Sequence, residues 1–393
     1  MIRMVQPITS SLTLDGVNLD TGELLKIMDI ATCASAEKHT GVNCVTVAMG
    51  DLVLEHSPTV GAILELAAEP VLVGRTSLEI ALTVTAERGA ARQFVCESFF
   101  TYVTTRGPKG DKQLAPPLLL DQASERRRWA TTIATHRKTL IQLENKAALS
   151  PTPSNSAPVM ASTGGDVGAA SAGGFLECSE VVLPAHQNHM GHTFGGVVMD
   201  WMHKAALGSA ARHARCELGA LQTLGVHRVS FTTGSDVSDH LLFRARVNAV
   251  FGREAEVGVT VVKKSIKSGV ETPINVGFFN VCLREAARKG ARPKTEFPVL
   301  PAALGGPGGD AAGMRRRLLV ARRQLLTSSG GAVAWDEQLA GEAPLLTVEA
   351  AARLVSPEGS AAAVWRPCVA QQAAARLKLR QQSQQSQQSQ QSQ

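Results

Sequence analysis

The sequence predicts an α+β protein built from one module written twice. Each copy is a long central helix followed by a meander of strands that forms an antiparallel sheet packed on that helix. Three observations carry this reading. An internal repeat relates the two halves. "VGAILELAAEPVLVGRTSLEIALTV" from Val60 and "VSDHLLFRARVNAVFGREAEVGVTV" from Val237 share Val60/Val237, Leu64/Leu241, Ala68/Ala245, Val73/Val250, Glu79/Glu256, Thr83/Thr260 and Val84/Val261 without a gap, at an offset of 177. Two glycine-led apolar helices recur, Gly22 with Gly196, at an offset of 174. A final strand recurs as "SFFTYV" from Ser98 and "GFFNVC" from Gly277.

The elements follow in order. Apolar residues at helical spacing predict a helix of about five turns from Gly22 and another from Gly196. The runs "CVTVAMGDLVLE", "AILELAAEPVLV", "TSLEIALTVTAE" and "RQFVCESFFTYVT" alternate and are rich in β-branched residues, so they are strands. One module then spans residues 1–106 and the other 175–300, a normal domain size of about 100 residues or slightly more. Residues 107–174 hold a helix, "DQASERRRWATTIATHRKTLIQLENKAAL", and a linker by composition, "SPTPSNSAPVMASTGGDVGAASAGG". Residues 301–393 hold a basic helix, Ala-rich text and the low-complexity end "QQSQQSQQSQQSQ", which reads as disordered.

Composition narrows the class. The chain of 393 residues is 44% hydrophobic and 19% charged, as in ordinary soluble proteins. No apolar stretch reaches the roughly 18–20 residues that cross a bilayer. "MIRMVQPITSSLTLDG" lacks the apolar core of a secretory signal. A cytoplasmic location is expected, and a single arginine in that stretch is weak support for a mitochondrial one. Seven widely spaced cysteines without a C-x-x-C point to reduced thiols, most of them core filler. The net charge of +6 gathers in two clusters, Arg126, Arg127, Arg128, Arg137 and Lys138, and Arg315, Arg316, Arg317, Arg322 and Arg323. Such clusters suit an anionic ligand or a solvated helix face. One tyrosine and 4% aromatics leave little for stacking nucleic-acid bases, so no nucleic acid is expected.

Two places carry chemistry. Gly195 and Gly196 open a helix whose first N–H groups are unpaired and lie at the positive end of its dipole. Glycine there lets a substrate carbonyl approach the backbone, which suits an oxyanion hole. Asn188, on the loop just before, supplies an amide that can orient a carbonyl or a water. Asp29 lies on the other apolar helix between Ile27, Met28, Ile30 and Ala31. Burial would raise its pKa and make it a better base. The plainer reading is a partly exposed acid, or one bonded to Thr32. His186, His189 and His192 recur every third residue, but that spacing in a glycine-containing loop does not fix a tetrahedral site, and no metal or cofactor is expected.

"GELLKIMDIATCASAEKHTGVNCVTV", "RTSLEIALTV" and "NHMGHTFGGVVMDWM" resemble the double-hotdog acyl-coenzyme A thioesterases, in the branch of the cytosolic acetyl-CoA hydrolase and the brown-fat-inducible thioesterase. The resemblance covers roughly residues 10 to 325 and implies tandem hotdog domains hydrolysing acyl-CoA to free acid and coenzyme A. Relatives in that branch continue into a lipid-binding START domain. The residues left here are too few for one, so lipid control through it is not expected. The resemblance implies that Asp29 activates water while Asn188 and the Gly195–Gly196 helix start polarise the carbonyl across a pseudo-twofold interface. The mirror site has His203 for Asp29 and Leu14 for Asn188, which implies an inactive pocket. The implied coenzyme contacts are Val47, Ala48 and Met49; Thr76, Ser77 and Leu78; Arg128; and Phe231, Thr232 and Thr233. The implied assembly is a homo-oligomer of double units, a trimer. The fold also serves regulators that bind acyl-CoA without hydrolysis and dehydratases, for which His203 is the candidate residue.

Overall fold

The computed structural model describes residues 1–107, 110–118, 174–284 and 296–298. They belong to one compact unit, Met1–Leu119 with Gly164–Leu304. The expected helix at 121–149, the linker up to residue 173, Arg128 and the tail lie outside the described residues.

The first module runs β1 (Ile2–Pro7), α1 (Thr21–Thr40), β2 (Cys44–Met49), β3 (Leu52–Val53), β4 (Ile63–Val73), β5 (Ser77–Arg88) and β6 (Ala91–Thr104). The second runs β7 (Leu176–Val181), α2 (Gly195–Ala214), β8 (Leu221–Phe231), β9 (His240–Phe251), β10 (Glu254–Lys264) and β11 (Glu271–Leu283). All pairings between these strands are antiparallel. The order is β1-β4-β5-β6-β2-β8-β11-β10-β9-β7, with β3 also on β8. Each half has the same internal order, and the halves join where Ala48 pairs with Ser230 and Met49 with Val229.

Why these residues form these elements follows from their surroundings. Along β4 and β5 every second side chain is buried, Leu64, Leu66 and Ala68 in one and Leu78, Ile80, Leu82 and Val84 in the other. That period of two turns one sheet face onto α1. The helix buries Leu24, Leu25, Ile27, Met28 and Ala31, and α2 buries Val198, Met199, Met202, Ala205 and Ala206. Each helix touches its own sheet and also the other helix, so both are apolar on several sides. Asp20 caps α1 by accepting the Glu23 N–H, and Gly41 ends it in the left-handed region at φ 69°. At the start of α2 stands Phe194, which offers no side-chain cap.

The repeat is written into the sheet. Pairing registers place Leu78 opposite Tyr102 and Ala255 opposite Val281, so Val281 is the counterpart of Tyr102. Four details differ from the sequence reading. The run "CVTVAMGDLVLE" is broken into β2 and β3 around Gly50–Asp51. Strands β1 and β7, at the two edges of the sheet, carry too short an alternation to stand out. Both helices begin one residue early, at Thr21 and Gly195. Cys44 and Cys96 are core filler, whereas Cys178 is exposed and Cys33, Cys216 and Cys282 are half-buried.

Candidate active site

Asp29 stands midway along α1, where that helix crosses the start of α2. The carboxylate is fully buried and accepts three hydrogen bonds. The Gly196 N–H donates to Oδ2 at 2.7 Å, the Tyr102 hydroxyl to Oδ1 at 2.6 Å and the Thr46 hydroxyl to Oδ1 at 2.9 Å. Burial pushes the Asp29 carboxyl above the usual range for an aspartate, and the bonds from Tyr102, Thr46 and Gly196 pull it back. Burial and the neighbouring Asp29 charge hold the Tyr102 phenol far above its ordinary value, so it serves as a donor. The partly exposed alternative for Asp29 does not hold. Thr32 bonds the Met28 carbonyl at 2.8 Å and lies 2.8 Å from the Tyr102 hydroxyl, and it does not meet the Asp29 carboxylate.

This geometry gives the two glycines a reason beyond the one read from sequence. A Cβ on Gly195 would stand 2.9 Å from Asp29 Oδ2, and one on Gly196 would stand 2.8 Å from Lys26 Cα. Glycine is needed for α1 and its acid to reach the end of α2. The helix has no cap of its own, and Asp29 of the other module supplies one. The Gly196 N–H is therefore engaged rather than open to a carbonyl, a departure from the expected pair of open donors. The Gly195 N–H has no partner among the described residues.

Asn188 lies on a loop closed by a bridge between Gln187 and Thr193. Its Oδ1 accepts from the N–H groups of Met190 at 3.0 Å and His192 at 3.1 Å, a tight side-chain turn. Its Nδ2 has no partner among the described residues. Asn188 makes no hydrogen bond to Asp29 among the described residues. The neighbouring histidines take separate partners: His186 accepts from the Leu183 N–H, His189 sits 3.0 Å from Glu37, and His192 sits 2.6 Å from Asp236.

The remaining residues named for coenzyme binding divide in two. Val47 is the extra residue where the β2–β6 register slips between Thr46 and Ala48, so its backbone leaves that ladder beside the Thr46–Asp29 bond. The Phe231 ring lies 3.5 Å from the point a Gly195 Cβ would occupy, next to the α2 start. Thr232 is exposed and bonds the Ile274 carbonyl through both hydroxyl and N–H, and exposed Thr233 follows it. The Thr76 carbonyl accepts the Thr104 N–H at the head of β5, beside exposed Ser77. Ala48, Met49 and Leu78 have buried side chains, so only their backbones are available. Sequence reasoning missed Tyr102 and Thr46. The signal was present: Tyr102 is the only tyrosine, and a buried phenol needs a polar partner.

The mirror position is built differently. His203 replaces Asp29, Thr223 replaces Thr46 and Val281 replaces Tyr102, while Leu14 stands for Asn188. His203 Nε2 pairs with the Thr223 hydroxyl at 2.7 Å, and burial pushes the imidazole down to about 4, so it is neutral. The α1 start is capped by its own Asp20, whose Oδ1 lies 3.4 Å from His203 Nδ1. A small cavity of about 30 Å³ opens here, lined by Leu14, Asp20, His203 and Thr223 among others.

The sequence model of the thioesterase superfamily matches residues 190–270, which hold α2 and strands β8, β9 and β10. Acetyl-coenzyme A thioesterase of Mus musculus is 33% identical over 245 residues, covering 62% of this chain and 43% of that protein. Acyl-coenzyme A thioesterase 11 of Mus musculus is 32% identical over 255 residues, covering 62% of this chain and 40% of that protein. The chain therefore spans less than half the length of these two relatives. Protein VdlD of Helicobacter pylori is 30% identical over 121 residues, covering 31% of this chain and 68% of that protein. Among solved structures, an acyl-ACP thioesterase from Bacteroides thetaiotaomicron aligns with a TM-score of 0.45 at 10% identity, over 71% of this chain and 96% of that one. Residues 190–270 thus carry the thioesterase superfamily pattern, and the paired modules have the hotdog fold.

Proposed function

We propose that the protein hydrolyses acyl-CoA thioesters to the free acid and coenzyme A. The observation that carries this is the buried Asp29 carboxylate of one module placed against the α2 start of the other. Water attacks the thioester carbonyl and Asp29 takes its proton. The oxygen that gains charge is met by the Gly195 N–H and the Asn188 amide nitrogen, neither of which has a partner among the described residues. The tetrahedral intermediate then collapses, the C–S bond breaks, and the proton held by Asp29 goes to the leaving thiolate. A base of raised pKa keeps the driving force for proton transfer near neutral pH. Donors fixed by a helix start and a tight loop need no reorganisation as charge develops.

The names of the relatives supply the substrate class, a coenzyme A thioester, and leave the acyl length open. The coenzyme runs along Val47–Met49, Thr76–Leu78 and Phe231–Thr233, and Arg128, which lies outside the described residues, is its expected cationic contact. The chain works as a homo-oligomer of double units, a trimer, through the edges of the sheet, where Val5 and Val181 are exposed. A reducing compartment such as the cytoplasm suits its free thiols. Among the described residues no helix is long and apolar enough to cross a membrane. Thiol release measured with acetyl, octanoyl and palmitoyl thioesters tests the proposal. Turnover of at least one is expected, and binding of all three without thiol release would make the protein a binding module instead.

A further inference from the structure

We propose that Glu37 and His189 are positioning residues that hold the Asn188 loop in register with Asp29. The inference rests on the reading of Asp29 and Asn188 as partners in hydrolysis. Those two side chains come from different modules, so something must fix the distance between them.

Most of the fastenings of the Asn188 loop stay within its own module. Asn188 Oδ1 binds the loop's own N–H groups, Thr193 bonds Ser235, and His192 meets Asp236. His189, the next residue after Asn188, is different. Its Nε2 lies 3.0 Å from Oε1 of Glu37, on α1 of the other module. Glu37 stands two turns beyond Asp29 on the same helix. The same Oε1 accepts the Cys44 N–H at 3.0 Å, where β2 begins. Two residues on, Thr46 donates to Asp29. One carboxylate oxygen therefore ties together the helix that carries the acid, the strand that carries its hydroxyl partner and the loop that carries the amide.

Among the described residues the tie to the facing helix exists on one side of the pseudo-twofold only, although Asp15 of the mirror loop meets Arg284 beyond β11 of the second module. The position matching His189 is Asp15, and the position matching Glu37 is Ala211. Asp15 turns instead to Asn18 and Arg284. The side with no acid at the Asp29 position and no amide at the Asn188 position is also the side on which, among the described residues, this pair has no counterpart to tether the loop to the helix. Both members of the Glu37–His189 pair are partly exposed, and such pairs add little to folding stability. Its effect is geometric, and small misplacements of a reacting group are costly to rate.

The test is a cycle of variants in the full chain, read as kcat, KM and melting temperature on one acyl-CoA that the wild type turns over. His189→Ala is expected to lower kcat about tenfold or more, with KM and melting temperature unchanged. His189→Gln returns an N–H donor at similar reach and is expected to recover most of the rate. In an Asn188→Ala background, His189→Ala is expected to cost nothing further, because the residue acts through Asn188. A wild-type kcat for His189→Ala beside an impaired Asn188→Ala overturns the inference alone. So do losses that multiply in the double variant. A wild-type kcat for Asn188→Ala overturns the reading of Asn188 itself, and this inference with it.

Discussion

Tyr102→Phe is the perturbation that separates a tuned base from a merely buried acid. The change removes one oxygen atom. That oxygen donates to Asp29 Oδ1 at 2.6 Å, one of three bonds that offset the cost of burying the charge. A hydrogen bond to a charged group contributes about 1.5–3 kcal/mol. Losing it destabilises ionised Asp29 by that amount and affects the protonated form less. At a pH below its pKa the ionised fraction then falls roughly tenfold to a hundredfold, since about 1.4 kcal/mol is tenfold in an equilibrium. The sign follows from the raised pKa. Activity that needs ionised Asp29 appears as pH rises through the folded-state value, and Phe moves that value higher still. The acid limb of kcat/KM should shift to higher pH, while the plateau at high pH falls less. Thiol release followed from acid to alkaline pH on wild type and variant measures this. An acid limb at the same pH in both would refute the view that Asp29 is the titrating base and Tyr102 its tuner.

Further outcomes follow from the same geometry. Asp29→Asn should raise the melting temperature at neutral pH. A group whose pKa is raised by folding contributes most below its unfolded value and loses that contribution as pH rises, so differential scanning calorimetry should show a gain at pH 7 that fades in acid. Asn188→Ala removes a positioned donor and should cost about 10²–10³ in kcat. Asn188→Asp should be at least as damaged if Asn188 faces the carbonyl oxygen, and kcat for both variants on one substrate decides it. Gly196→Ala puts a methyl group 2.8 Å from Lys26 Cα. Relieving it should cost about 1–3 kcal/mol, read as a lowered midpoint in urea unfolding.

Much of the fold is legible because each module repeats its own signals. The helices announce themselves by glycine and a long apolar run, and the strands by a period of two. Strands β1 and β7 are short edges with few buried positions, and composition does not distinguish them from loops. The site is legible in part. Asp29 stands out as an acid set among Ile27, Met28, Ile30 and Ala31 on an apolar stretch of helix, and Gly195–Gly196 as a helix start. What the linear sequence hides is that the two meet: Phe194 leaves α2 uncapped, and the missing acceptor comes from a residue 167 positions earlier. Tyr102 and Thr46 reach Asp29 only through the pairing of β6 with β2, which depends on register. Glu37 and His189 likewise meet only in space.

The central claim is that one composite site, Asp29 of the first module with the α2 start of the second, does the chemistry while its mirror image does none. The direct measurement is kcat for Asp29→Asn and His203→Ala side by side, with acyl-CoA binding followed by calorimetry. Asp29→Asn is expected to bind substrate normally and to lose about 10²–10⁴ in kcat, the usual worth of a general base. His203→Ala is expected to keep its rate within a few-fold. Equal losses from the two changes, or a wild-type rate for Asp29→Asn, would contradict the account.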